Sequence, residues 1–217
     1  ASPAGLNFVS TTTGAINLST STAGTYAVTN TIAASGGCAS VSASSNVTLK
    51  SFPTASISGS GTSCVGGSTT LTVNLTSTSP WDISYTDGVS TTSITGIASS
   101  PYTFTVSPAT TSTYTLASVV NSVCSGSTSG TALVTVTPKP TATISGTNTI
   151  CAGNSSNLLF TLTGNQPWSI TYTDGTTPVT INGITSSPYT VSVSPVVNTT
   201  YTLTGVSDAI CSGTVSG

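Results

Sequence analysis

The sequence contains one long segment twice, 87 residues apart. The stretch PWDISYTDG begins at Pro80, and PWSITYTDG begins at Pro167 (167 − 80 = 87). The surrounding cysteines, tryptophans and tyrosines recur at the same distance: Cys64 and Cys151, Trp81 and Trp168, Tyr114 and Tyr201, Cys124 and Cys211. A repeat of this length predicts that each copy is one unit of structure, so the chain is a tandem array.

The repeat defines the expected domain boundaries. The first copy covers 52–138 and the second covers 139–217, while residues 1–51 match the C-terminal part of a copy, with Cys38 at the position of Cys124. The stretch ALVTVTP that ends the first copy has no counterpart in the second, so we predict that 139–217 lacks its last strand. We expect a window onto a longer array, or else strands supplied by a neighbouring chain.

Apolar and polar residues alternate through each copy, which predicts β-strands with one buried face. About seven such strands per copy, separated by Gly, Pro and Asp-Gly turns, predict an all-β chain of tandem immunoglobulin-like β-sandwich domains arranged end to end. Four aromatic residues are the expected core anchors: Trp81, Trp168, Tyr114 and Tyr201. Both tyrosines open the penultimate strand, where such sandwiches place a corner tyrosine.

Composition excludes several classes of function. Charged residues make up 3% of the chain and its net charge is -2, so no basic surface exists for nucleic acid. No apolar run is long enough to insert into a membrane. With no histidine, neither a Ser-His-Asp arrangement nor an ordinary metal cluster can be assembled, and we expect no enzyme activity, no metal and no cofactor.

Asp82 and Asp87 are the first candidates for chemistry, because they lie five residues apart beside a tryptophan. In the second copy, however, Ser169 replaces Asp82, whereas the Asp-Gly pair persists. A carboxylate pair that one copy lacks is not a property of the repeat. We therefore predict that Asp82 is a solvated side chain, and that Asp87 and Asp174 are turn residues.

The cysteines predict disulfides and an oxidising, extracellular compartment. Each complete copy has two cysteines 60 residues apart (124 − 64 = 60), and Cys38 would be unpaired within this segment. Two pairings are open. The favoured one closes each copy on itself, joining Cys64 to Cys124 and Cys151 to Cys211, because a small domain gains most from its own crosslink. The other joins neighbouring copies through Cys64 and Cys211.

The segments Pro-Trp-x-Ile-x-Tyr-Thr-Asp-Gly, Ser-Pro-Tyr-Thr and Thr-Tyr-Thr-Leu carry a resemblance that extends over nearly the whole chain. They resemble the tandem immunoglobulin-like or PKD-like repeats of giant Bacteroidota surface proteins, including gliding-motility adhesins exported by type IX secretion. The resemblance implies a structural repeat of a cell-surface filament or adhesin that gives reach and mechanical strength. Its implied partners are neighbouring repeats, other chains of a filament or surface polysaccharide. The alternative function is a carbohydrate- or ligand-binding module attached to a secreted enzyme.

Overall fold

The computed structural model describes residues 3–217, which form strands and turns and contain no helix. The first ten strands are β1 (Phe8–Ser10), β2 (Ala15–Ile16), β3 (Gly24–Ile32), β4 (Val41–Leu49), β5 (Thr54–Ser58), β6 (Gly61–Cys64), β7 (Thr69–Leu75), β8 (Trp81–Thr86), β9 (Thr91–Ile97) and β10 (Tyr102–Val106). The second ten are β11 (Ser112–Asn121), β12 (Ser127–Ser129), β13 (Ala132–Thr137), β14 (Thr141–Ser145), β15 (Ser156–Thr163), β16 (Trp168–Thr173), β17 (Pro178–Ile184), β18 (Tyr189–Val193), β19 (Thr202–Ser207) and β20 (Thr214–Ser216). The predicted all-β class is confirmed.

Six sheets contain these strands. Residues 52–138 form sheets of order β10-β7-β5-β12 and β6-β13-β11-β8-β9, and residues 139–217 form sheets of order β18-β15-β14-β20 and β17-β16-β19. The N-terminal part forms the hairpins β1-β2 and β3-β4. This is the tandem arrangement of β-sandwiches that the alternating pattern predicts.

Contacts divide the described residues into two compact units. The first comprises the residues up to Ile57 together with Val73–Tyr102 and Thr115–Gly130. The second comprises Ser58–Thr72, Thr103–Tyr114 and Thr131–Gly217. The expected boundaries between 51 and 52 and between 138 and 139 come from the sequence repeat and stay a prediction.

The second repeat shows how period-two patterning builds a core. Strand β15 directs Leu158, Phe160 and Leu162 inward from the first of its two sheets. Strand β16 directs Trp168, Ile170 and Tyr172 inward from the other sheet. The rings of Phe160 and Tyr172 meet with centroids 5.4 Å apart. Two inner faces of large apolar side chains therefore form one cluster between the sheets, which is how a sandwich buries its area.

The turn between β8 and β9 contains Asp87 and Gly88, as the Asp-Gly pair predicts. Asp87 Oδ1 accepts hydrogen bonds from the backbone N–H groups of Val89 and Ser90, at 3.0 and 2.7 Å. Gly88 has φ of +90°, a left-handed conformation that glycine adopts without a Cβ clash. The side chain of Asp87 thus fixes the turn that sets the register of β8 against β9.

The N-terminal part is built mainly on the long hairpin of β3 and β4, which pair in register from Gly24 with Leu49 to Ile32 with Val41. Tyr26 is buried there, and its hydroxyl donates to the carbonyl oxygen of Thr22 at 2.7 Å.

In the described part of the chain there is no helix that could span a membrane.

Candidate functional site

The first and second copies of the repeat are joined by a disulfide bond between Cys64 and Cys211. Their Cα atoms lie 5.7 Å apart, although 147 residues of sequence separate them. This Cα distance lies within the usual range for disulfides. Cys211 is 2% exposed, so this cysteine of the disulfide is shielded from solvent.

Strand pairing places Cys64 at this junction. β6 runs parallel to β13, and Cys64 lies in register with Thr137, the last residue of β13. The Thr137 hydroxyl oxygen lies 3.2 Å from the Cys211 sulfur. Because Thr137 is only a few residues before the start of β14, the end of one repeat's last strand brings Cys64 to the beginning of the next repeat.

A turn before Cys211 supplies the other half of the junction. Asp208 Oδ1 accepts hydrogen bonds from the N–H groups of Ile210 and Cys211, at 2.8 and 2.6 Å. The carbonyl oxygen of Ile210 lies 3.4 Å from the Cys64 sulfur. Asp208 thereby fixes the position of Cys211, as an Asx turn does in general.

The first repeat makes the same turn with asparagine. Asn121 Oδ1 accepts hydrogen bonds from the N–H groups of Val123 and Cys124, at 3.0 and 2.9 Å. The sequence analysis assigned no role to Asn121, Asp208 or Thr137. An Asx residue three positions before the second cysteine of each copy was the available signal for the first two.

The favoured pairing of each repeat's own cysteines is wrong, and the structure has the other pairing. Cys211 lies near the start of β14, because the nearby Thr214 N–H donates to the carbonyl oxygen of Pro140 at 3.1 Å. Cys151 follows β14, which ends at Ser145. The two cysteines of the second repeat therefore lie beyond opposite ends of one strand, about 17 Å long at 3.3 Å per residue. That separation exceeds the reach of a disulfide.

The same strand order separates the cysteines of the first repeat. The Gly126 and Ser127 backbone follows Cys124 and reaches Pro53, at the start of β5, where the Ser127 N–H donates to the Pro53 carbonyl oxygen at 3.2 Å. Cys64 follows the end of β5. In the structure Cys38, Cys124 and Cys151 are unbonded, Cys38 and Cys151 being exposed and Cys124 partly buried.

The aromatic anchors divide into three buried residues and one partly exposed residue. Trp81 is 6% exposed and Trp168 is 7% exposed, and Tyr114 is buried. Each indole N–H donates to a backbone carbonyl oxygen, that of Thr76 for Trp81 and that of Thr163 for Trp168, at 2.8 and 3.0 Å. Tyr201 is only partly buried.

The aspartates of the two Pro-Trp segments lie in a strand and in turns: Asp82 in β8, and Asp87 and Asp174 in turns. Asp82 is exposed and accepts a hydrogen bond from the Gly96 N–H at 2.7 Å. Hydrogen bonds from the Thr176 hydroxyl, and then from the Thr176 and Thr177 N–H groups, lower the pKa of Asp174 to about 2. Hydrogen bonds from the Ser90 and Val89 N–H groups lower the pKa of Asp87. Among residues 3–217, no three Cys or Asp side chains lie close enough to hold a metal ion.

A groove of about 620 Å³ lies at the end of the second repeat that carries Cys151. One wall contains residues 144–150 and Ala152, and the other contains residues 195–201. Seven larger apolar side chains line it: Ile144, Ile150, Leu158, Val193, Val196, Val197 and Tyr201. The sequence analysis did not predict this groove, although it predicted that a strand is missing from this repeat.

One sequence profile supports an immunoglobulin-like fold for part of the chain. Residues 139–217 match the sequence profile of the Ig-like domain of nucleoporin POM152. No curated protein sequence matches the chain.

Several solved structures show a distant likeness to this chain. An I-band fragment of titin is 13% identical with a TM-score of 0.48, covering 93% of this chain and 76% of that one. The fibronectin(III)-like modules of Clostridium thermocellum CbhA are 16% identical with a TM-score of 0.34, covering 74% and 91%. The ectodomain of mouse nectin-like molecule 4 is 14% identical with a TM-score of 0.30, covering 72% and 60%.

Proposed function

We propose that this chain is a structural repeat segment of a long extracellular filament or adhesin on a cell surface, and that it provides reach and mechanical strength. Immunoglobulin-like repeats are generally structural or binding modules. The observation that carries the proposal is the bond between Cys64 and Cys211, because it joins one repeat covalently to the next.

The bond changes which part of the chain carries a pulling force. Tension that enters before Cys64 and leaves after Cys211 passes through the sulfur atoms. The chain between the two cysteines, including the linker around Lys139, is then shielded from the force. At 3.3 to 3.6 Å per extended residue, a separation of 147 residues corresponds to about 500 Å of length that cannot be released.

The same chemistry supports the proposed extracellular compartment. Disulfides persist in secreted proteins and on cell surfaces, whereas thiols in the cytosol are kept reduced. A crosslink with one sulfur-bearing residue buried and positioned by the Asp208 turn fits a permanent structural role. Neighbouring repeats are therefore the proposed partners, and the cell surface is the proposed location.

Single-molecule force spectroscopy tests this proposal. The oxidised chain, pulled from its two termini, should extend only by the residues outside the loop closed by Cys64 and Cys211. The double variant Cys64→Ser and Cys211→Ser should release about 500 Å more contour length. The variant Cys124→Ser is the matched control, because Cys124 is unbonded, and it should extend like the parent chain.

The proposal is wrong if the oxidised parent and the double serine variant release the same length. It is also wrong if the cysteines of the parent prove to be reduced when the protein is isolated from the organism's surface fraction. Non-reducing peptide mapping of that material provides the second measurement.

A further inference from the structure

The second repeat contains the one Asn-Gly pair of the sequence, Asn182 and Gly183, near the end of β17. Both residues are exposed, and β17 is the outer strand of its sheet, with β16 as its neighbour. An asparagine side chain closes on the main chain most readily where glycine follows, because glycine has no Cβ to obstruct the ring. The pair therefore combines reactive groups with access for water.

The two residues form a bulge in the strand. The register of β16 against β17 shifts between Trp168 and Ile170, so that Asn182 and Gly183 together stand opposite one residue, Ser169. Gly183 has φ of +73°, in the left-handed region. A bulge disrupts the ladder locally, so the sheet does not hold this peptide group as it holds its neighbours.

The first repeat makes the same bulge with different side chains. There Thr95 and Gly96 stand opposite Asp82, and Gly96 has φ of +72°. The Gly96 N–H donates to Asp82 Oδ1 at 2.7 Å. In the second repeat Ser169 stands at the position of Asp82, and Asn182 stands at the position of Thr95. The second repeat therefore has the reactive amide and lacks the carboxylate acceptor.

We propose that Asn182 is a site of spontaneous deamidation through a succinimide. The Gly183 nitrogen attacks Cγ of Asn182, a C–N bond forms, and the side-chain NH2 leaves as ammonia with the proton of that nitrogen. Water then adds to one of the two ring carbonyl groups and breaks its bond to the Gly183 nitrogen. Opening at the side-chain carbonyl gives aspartate, and opening at the main-chain carbonyl gives isoaspartate.

The absence of a carboxylate opposite the bulge controls the rate of this reaction. The glycine nitrogen must lose its proton to attack, and a nearby negative charge disfavours the formation of a second one. Asp82 also holds the Gly96 nitrogen by a charge-assisted hydrogen bond. Ser169 carries no charge, so neither effect opposes attack by Gly183.

The modification changes the edge of the sheet. The seven residues of β17 carry no charge, and each product of the reaction adds one carboxylate to a chain of net charge -2. A charged side chain on an outer strand opposes pairing of that edge with another chain. Isoaspartate also adds a methylene to the main chain at the bulge. The modified second repeat should therefore associate less through β17 than the unmodified one.

Incubation of the folded whole chain in heavy-oxygen water at neutral pH tests the site. Digestion with pepsin at acid pH and mass spectrometry then locate each residue that has lost ammonia and gained the heavy oxygen. Asn182 should be converted before any other asparagine. The variant Ser169→Asp supplies the acceptor of the first repeat and should slow the conversion on the order of 10-fold, as expected for a hydrogen bond to a charged group.

The first repeat offers a matched pair of variants. Thr95→Asn places an Asn-Gly pair beside Asp82, and Thr95→Asn combined with Asp82→Ser reproduces the arrangement of the second repeat. Thr95 and Asp82 are both exposed, so the core is unchanged. The double variant should be converted at position 95 about as fast as Asn182, and the single variant on the order of 10-fold more slowly.

Equal rates with and without the carboxylate would overturn the inference, as would faster conversion of another asparagine or no gain of heavy oxygen at Asn182. The reaction involves neither tension nor the bond between Cys64 and Cys211. Its result is therefore independent of the proposed mechanical role.

Discussion

The two copies of the repeat make the same hydrogen bonds at their tryptophans but differ at one edge. Both indole N–H groups donate to the same repeat position. The hydroxyl oxygens of Ser100 and Ser187 each accept a hydrogen bond from a leucine N–H, at 2.8 Å. Four core positions that are buried in the first repeat are partly exposed in the second, where Ile57, Ser63, Val106 and Tyr114 correspond to Ile144, Ile150, Val193 and Tyr201.

The difference shows which contacts depend on the last strand. In the first repeat Tyr114 is covered where β13 pairs with β11, and Ser63 lies in register with Val136. The second repeat has equivalent residues facing the open groove. Burial at these positions is therefore a property of the neighbouring strand and not of the residue. Burial of Tyr172 in this core raises the pKa of its hydroxyl, and the nearby Tyr201 and Tyr189 raise it further.

Disrupting β13 should make the first repeat resemble the second, with the largest effect of the four changes considered. Val134→Asp places a carboxylate where the side chain is 0% exposed, and it should cost about 4 kcal/mol or more. Hydrogen exchange at 61–64 should then become as fast as at 148–151. Leu133→Asp is the control, since Leu133 is 46% exposed, and should change stability by about 0.5 kcal/mol or less. Slow exchange at 61–64 in the Val134 variant would contradict this account.

Truncation to alanine at one shared core position should cost the two repeats different amounts of unfolding free energy, because the side chains there differ in size. Phe160 and Val73 occupy the same repeat position, and both are completely buried. Phe160→Ala should cost about 4 kcal/mol because it leaves the larger cavity, whereas Val73→Ala should cost about 2 kcal/mol. Urea unfolding measures both, with Trp168 fluorescence in a Trp81→Phe background for the first and Trp81 fluorescence in a Trp168→Phe background for the second. Equal costs would mean that the cavity around Phe160 collapses.

Removing the shared serine hydroxyl should affect both repeats equally. Ser100→Ala leaves the Leu75 N–H without its acceptor, and Ser187→Ala does the same to the Leu162 N–H. Each change should cost about 1 to 2 kcal/mol, because a partly buried donor loses its hydrogen bond. The same two tryptophan backgrounds report the two unfolding transitions. A much smaller cost in the second repeat would show that its open edge also loosens this distant hydrogen bond.

Changes beside the turn residues Asp87 and Asp174 should have the smallest effect on stability. The pKa values of these two aspartates should respond differently when a neighbouring hydroxyl is removed. The pKa of Asp174 is lowered from 3.8 to about 2, so its stabilising contribution is complete above about pH 4 and is lost as the pH falls towards 2. Thr176→Ala removes the largest cause of that shift and should raise the pKa clearly. Ser90→Ala should change the pKa of Asp87 less, because backbone N–H groups are the main cause there. Carboxyl carbon NMR titration measures both values.

Much of the fold is predictable from the sequence because it follows from local chemistry. The alternation of Leu158, Phe160 and Leu162 defines a strand face without reference to any other segment, and Asp-Gly defines a turn. Comparison of the two copies shows that Ser169 stands where the first copy has Asp82, so the copies do not share a carboxylate pair.

The partner of Cys64 was decided only by tertiary structure. Spacing along the chain is compatible with Cys124 or Cys211, since each is a cysteine many residues away. The parallel pairing of β6 with β13 carries Cys64 to Thr137, and the Asp208 turn brings Cys211 to the same place. A disulfide requires Cα atoms within about 7 Å, and that distance is set by strand order and register, which no count of residues along the sequence contains.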